Sequence, residues 1–152
     1  MGKDVMVMDR PSGAGAINVG KVLAGGLLCG LLINISETIL NLAVVPADMA
    51  EALKARNLPE IGGGAIGGFV AFAFLLGIGI VWLYAAIRPR FGPGVKTAIV
   101  AAVVAWLFAY AYPSLGMVFM GFFPMGLTIF TLVWGLAEVV IGAIAGAWVY
   151  SE

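Results

Sequence analysis

Histidine is absent from this chain, and cysteine occurs once, at Cys29. The first absence removes the commonest ligand for zinc and haem iron, so neither a histidine-built metal centre nor a bis-histidine haem can be made from these residues. The second rules out an intramolecular disulfide, and Cys29, inside an apolar run, reads as a small buried hydrophobe. Charge is scarce too: only 11% of the 152 residues are charged, eight of each sign, for a net charge of +0. No bulk field would draw in nucleic acid or an anionic substrate. There is no Ser-His-Asp set, no metal-ligand cluster, no pair of aspartates and no glycine-rich phosphate loop opening a helix. The expectation is a chain with no catalytic residues, no metal and no cofactor, which is not an enzyme. One enzymatic arrangement stays open, a glutamate acid/base pair acting on a lipid.

What the chain has in abundance is apolar surface. Hydrophobic residues make up 62% of it and the mean hydropathy is +1.10, against roughly 45–50% apolar content in soluble domains. Four runs, Val22 to Val45, Ala65 to Ile87, Val95 to Tyr112 and Leu127 to Tyr150, are long enough to cross a hydrocarbon core of roughly 30 Å. The first is longer than the roughly 7–15 residues of a signal-peptide core, so it is expected to be retained. These runs predict an all-α fold, a four-transmembrane-helix bundle forming a single membrane domain over residues 1–152.

Six of the eight basic residues, Lys3, Arg10, Lys21, Arg88, Arg90 and Lys96, fall on the side of the N-terminus if four spans are threaded; Lys54 and Arg56 fall on the other. That bias predicts both termini in the cytoplasm. Between spans one and two, Pro46 through Arg56 predicts a short external amphipathic helix, with Asp48 and Glu51 near its start and Lys54 and Arg56 near its end, matching the helix dipole. The Gly62-Gly63-Gly64 run is expected to interrupt any helix before span two. Arg88-Pro89-Arg90-Phe91-Gly92-Pro93-Gly94 predicts a tight cytoplasmic turn, with Arg88, Arg90 and Lys96 placed to contact lipid headgroups. The uncharged stretch from Pro113 to Gly126, rich in Met and Phe, predicts a re-entrant plug, a partner contact or a loop resting at the interface.

Inside the runs the informative residues are acids without cations. Glu37 lies in the first run between Asn34 and Asn41, and Glu138 lies in the last, yet no Lys or Arg accompanies them. An ionisable group in hydrocarbon is costly and by default faces protein or water. At 100° per residue, Gly26, Gly30, Asn34, Glu37 and Asn41 share roughly an 80° arc that must face protein. Thr131, Trp134, Glu138, Gly142 and Ala145 form a similar stripe in the fourth run, so spans one and four are expected to be neighbours. With a rise of about 1.5 Å per residue, Glu37 and Glu138 lie roughly 12 and 16 Å from the outer ends of their spans, nearly one level. Two facing carboxyls in a low-dielectric site cannot both ionise and would share a proton. The candidate ligand- or proton-binding set is therefore Glu37, Glu138, Asn34, Asn41 and Trp134, with the amides as hydrogen-bond partners and the indole as a wall or cation-π face. The competing reading is that the acids are neutral fasteners between helices. Trp82, Tyr84, Trp106, Tyr110, Tyr112, Trp148 and Tyr150 are expected to be interfacial anchors.

Leu83-Tyr84-Ala85-Ala86-Ile87, followed by Arg88-Pro89-Arg90-Phe91-Gly92-Pro93-Gly94 and taken with Asn34 and Glu37, resembles a group of small uncharacterised bacterial integral membrane proteins over most of the chain. The resemblance implies a bacterial origin and the cytoplasmic (inner) membrane, and it brings no activity with it. In layout alone, four short spans with an embedded glutamate, the chain is also similar to the small multidrug resistance transporters. Ala137-Glu138-Val139 is loosely similar to their motif but lies in the last span instead of the first. The functional expectation is a non-enzymatic protein whose buried Glu/Asn site binds or passes a proton, cation or small amphipathic molecule. The alternative is an accessory subunit of a membrane complex. Expected partners are membrane lipids and either a second copy or another membrane subunit, with no nucleic acid.

Overall fold

The computed structural model describes residues 16–150. Lys3 and Arg10, which contribute to the charge bias, and both chain ends lie outside the described residues. Four helices are long and apolar enough to cross a membrane: Val19–Val44, Gly63–Phe91, Val95–Phe119 and Met125–Tyr150, here the first to fourth spans. A short helix, Pro46–Lys54, lies between the first two, and the described residues contain no strand. The fold is an all-α four-helix bundle, as the apolar runs predict.

The outside of the bundle is greasier than its seams. Along the first span Leu23, Leu27, Leu31, Ile35 and Ile39 form an exposed row at helical spacing, a surface suited to lipid. The inward positions are small: Gly25, Gly26, Cys29 and Gly30 are buried. Without a hydrophobic drive between helices in lipid, close backbone approach and hydrogen bonds have to hold them together. A methyl at Gly77 would lie 2.5 Å from the Gly26 carbonyl oxygen, and one at Gly25 would lie 2.5 Å from the Gly146 carbonyl oxygen. The first span thus packs on the second through Gly26, Gly30 and Gly77, and on the fourth through Gly25, Cys29, Gly142 and Gly146.

Three sequence expectations need correction. The stretch from Pro113 is not a loop: Tyr112–Phe119 continues the third span as helix. The fourth begins at Met125 after a turn in which Gly121 adopts φ 75°. Proline is tolerated in a first helical turn, where its missing N–H has no partner to lose. Of the glycines expected to break the helix ahead of the second span, only Gly62 lies outside that span, as its cap; Gly63 and Gly64 are its first residues. At the opposite end the helix runs on through Pro89 to Phe91, and the turn is confined to Gly92–Gly94, where φ of 81° and 114° requires glycine at both ends. The Gly92 carbonyl accepts from the Thr97 hydroxyl at 2.6 Å, and the Gly94 N–H donates to the Tyr84 hydroxyl.

Two π-helical stretches, Leu40–Val44 and Leu107–Ala111, have one cause. Each is followed two residues later by a proline, Pro46 or Pro113, whose ring would clash with the carbonyl four residues back and which offers no N–H. Widening the turn relieves the clash: Val45 N–H reaches back to the Leu40 carbonyl, and Tyr112 N–H to that of Leu107. Such bulges frequently occur at functional sites. Here they carry Asn41 and Tyr110.

Candidate functional site

Glu138 is the most deeply buried charged residue among those described, 5% exposed. It faces inward because Gly135, one turn earlier, has no side chain: the Tyr110 ring lies where a Cβ at Gly135 would be, 2.7 Å from its Cδ1. The Tyr110 hydroxyl then donates to Glu138 Oε1 at 2.8 Å. Oε2 is buried with no hydrogen-bond partner. From the first span, the Ser36 and Glu37 side chains stand within hydrogen-bonding reach of the Glu138 carboxyl. Glu37 itself is half-buried, and its Oε2 accepts from Asn41 Nδ2 at 2.9 Å; the same amide nitrogen also reaches the Glu37 carbonyl oxygen.

Trp134 completes the arrangement: its Nε1–H donates to Ser36 Oγ at 2.9 Å across the seam between the first and fourth spans. Trp134 and Phe130 stack obliquely, with centroids 6.3 Å apart and planes tilted 38°. Glu138, Ser36, Trp134, Phe130, Val133, Ala137 and Ile141 line a groove of about 330 Å³. A larger cavity, about 590 Å³, lies beyond Phe130 towards the short helix and is bordered by Asp48, Glu51 and Arg56. Phe130 lines both and stands between them. Arg56 clips the short helix to the turn between the third and fourth spans, donating from Nε to the Gly121 carbonyl at 2.6 Å.

On the other side of Glu138 the bundle is shut. Cys29, Ile33, Val81 and Val139 are 0–1% exposed, and the glycine contacts of Gly25 with Gly146 and of Gly26 with Gly77 follow below them. The acid pair therefore has polar neighbours toward the short helix and a tightly packed apolar layer toward Tyr150.

Of the residues singled out in the sequence, Glu37, Glu138, Asn41 and Trp134 come together. Asn34 does not join them: its Nδ2 donates to the Gly30 and Val70 carbonyl oxygens, tying the first span to the second. The 80° stripe is divided between two neighbours, because an arc that wide faces both the second and the fourth span. Gly26, Gly30 and Asn34 look to the second, while Glu37, together with Ser36 from outside the stripe, looks to the fourth. Arg90 and Lys96 are exposed at the end of the bundle that carries the Gly92–Gly94 turn. Arg88 lies over the Tyr150 ring at 5.7 Å.

Ser36 and Tyr110 belong to the site and were not among the sequence candidates. The signal for Tyr110 is the combination of Pro113, which twists the preceding turn, and Gly135, which makes room for the ring. Tyr84, Trp106 and Tyr150 are likewise not interfacial anchors. Tyr84 and Tyr150 are buried and meet edge to face at 6.0 Å, and Trp106 donates to the Leu132 carbonyl. Trp82, Tyr112 and Trp148 are exposed on the apolar surface.

Among the described residues no group of three His, Cys, Asp or Glu side chains could hold a metal ion. No family model matches the chain, and neither curated proteins nor solved structures yield a match. The chemistry of the site is therefore read from its geometry.

Proposed function

We propose that this is a non-enzymatic membrane protein whose Glu138–Glu37 pair binds or passes a proton, cation or small amphipathic molecule. The observation that carries the reading is the Glu138 carboxyl: it is deeply buried, fixed by Tyr110 on one oxygen and unpartnered on the other. A second acid stands beside it, and no basic residue occurs in the first or the last apolar run, which carry the two acids. A purely structural acid would be expected to satisfy both oxygens, since a buried unpaired acceptor costs about 1–3 kcal/mol. A site that takes up a proton or a positive charge has use for the free one. The charge bias and the resemblance to small bacterial membrane proteins support placement in a bacterial inner membrane with both termini cytoplasmic.

The bonds from Tyr110 to Glu138 and from Trp134 to Ser36 also join separate spans, which favours a second reading, an accessory subunit in which these groups only fasten helices. Glu138→Gln and Glu37→Gln separate the two. Reconstituted into liposomes, the variants should lose proton uptake while keeping their detergent stability. Lost stability with unchanged uptake would make the fastener reading the better one. Co-purification of a stoichiometric membrane partner would favour the subunit role directly.

A further inference from the structure

The larger cavity, about 590 Å³, lies apart from the acid pair, and its walls are of two kinds. Asp48, Glu51, Ala52 and Ala55 line it from the short helix and its cap, recurring at helical spacing and so sharing one face, with Arg56 beside them. Gly126, Leu127 and Phe130 line it from the start of the fourth span. The charged face of the short helix thus borders an apolar floor. Asp48 and Glu51 are exposed, and neither has a hydrogen bond or ion pair among the described residues. Arg56 donates from Nε to the Gly121 carbonyl and from Nη1 to the Ala52 carbonyl, which leaves its Nη2 amine uncommitted among the described residues. Charges of both signs therefore edge one cavity with no ion pair between them. The apolar floor then runs on down the fourth span. Phe130 also lines the groove of about 330 Å³, and Phe130, Val133 and Ile141 are 44%, 64% and 61% exposed. From Leu127 to Ile141 the helix advances roughly 21 Å, more than the roughly 15 Å that one leaflet contributes to a hydrocarbon core of about 30 Å. A polar cup at the end of the bundle leads into an apolar trough as deep as a leaflet.

We infer that cup and trough together hold one zwitterionic phospholipid with a primary ammonium headgroup, of the phosphatidylethanolamine kind. Its ammonium lies at Asp48 and Glu51, its phosphate at Arg56, and an acyl chain passes over Leu127, Phe130 and Ile141. An anionic phospholipid would set its net charge against two carboxylates with one guanidinium to offset them. A choline headgroup has no N–H to give those oxygens, whereas a primary ammonium donates to them, and such charge-assisted bonds are roughly twice as strong as neutral ones. A soluble phosphoamine would leave Leu127, Phe130 and the trough uncovered. The cup, at about 590 Å³, is within the roughly 300–1,000 Å³ usual for small-molecule sites, room enough for the headgroup. The lipid takes nothing from Glu138 or Glu37, so its binding stands apart from what that pair does.

The test is lipid binding to the full chain in detergent micelles, read by native mass spectrometry. Phosphatidylethanolamine, phosphatidylcholine and phosphatidylglycerol with identical acyl chains are compared, and free phosphoethanolamine serves as the soluble competitor. Saturable binding of one phosphatidylethanolamine is expected, about tenfold or more tighter than either other lipid and not displaced by the free headgroup. Replacing both exposed acids, Asp48→Asn with Glu51→Gln, should remove that preference while leaving the fold intact. Gly126→Leu, with open space at the added Cβ, should fill the cup and weaken binding about tenfold; Ala55→Trp serves if that variant does not elute as a folded species. Equal affinity for the three lipids, a preference that survives loss of both acids, or wild-type binding in a folded cup-filling variant overturns the proposal. Displacement by free phosphoethanolamine also overturns it, because the trough would then hold no chain.

Discussion

The two halves of this bundle are held by different means. Toward Tyr150, glycine backbones touch and the seams are filled by Cys29, Ile33, Val81 and Val139, with almost no surface left. Toward the short helix, the spans separate enough to hold two carboxyls, a tyrosine and a tryptophan in an incompletely satisfied hydrogen-bond set. The first half is a lock in which a methyl group matters; the second is a site whose parts can be exchanged at little cost to the fold. On the proposed function, stability and chemistry lie at separate ends, so they should respond to mutation independently.

Breaking the lock should have the largest effect. Gly77→Val would drive a branched side chain into the Gly26 and Gly30 backbones, and overpacking of this kind costs about 3 kcal/mol or more where backbone has to move. The expected outcome is loss of the monodisperse folded species in detergent. Gly79→Ala, two residues away with nothing within 4 Å of the added Cβ, should leave thermal stability unchanged or slightly raised. Equal damage from both would mean that the seam is not where the structure puts it.

A middle-sized effect separates the halves more sharply. Pro113→Ala removes the cause of the π-helical turn at Leu107–Ala111. Relaxation to α-helix would swing Tyr110 by on the order of 100° from Gly135 and Glu138. Stability should fall by about 1 kcal/mol while proton uptake falls much further. Crosslinking yield between cysteines introduced at 110 and 135 would report the displacement, and an unchanged yield would remove Pro113 from the account.

How much of this is legible in the sequence depends on the kind of interaction. The spans are legible because twenty apolar residues in a row admit few alternatives, and Glu37 and Glu138 are legible because charge in such a run is rare. The division of the first span between two neighbours is not, since Gly25 and Gly26 point 100° apart and the sequence does not say which helix each meets. Asn34 shares the stripe of the acids for that reason, yet it bonds the second span. Tyr110 is invisible as a site residue because its direction depends on a proline three residues ahead and a glycine on another helix. The helical course of Tyr112–Phe119 is hidden because proline marks the end of a helix more often than the continuation of one.

Smaller effects test individual bonds. Tyr110→Phe deletes one interhelical hydrogen bond of the kind worth about 0.6 kcal/mol in membranes, so denaturation in mixed micelles should shift by little. Glu138 Oε1 would then lose its tyrosine donor, and proton uptake should change more than stability. Smallest of all, Arg56→Ala releases the short helix from the Gly121 carbonyl and should alter global stability by about 0.5 kcal/mol or less. Faster hydrogen exchange confined to residues 46–56 is the expected sign; a global loss would show that this clip belongs to the lock.

The central claim is that the Glu138 carboxyl is a loadable group and not a fastener, and difference infrared spectroscopy of the protein in bilayers addresses it most directly. A carboxyl band that gains and loses its proton reversibly as pH is stepped, and that disappears in Glu138→Gln with the helices intact, is the predicted result. A band that stays fixed across the whole ramp, or one that survives the substitution unchanged, would contradict it.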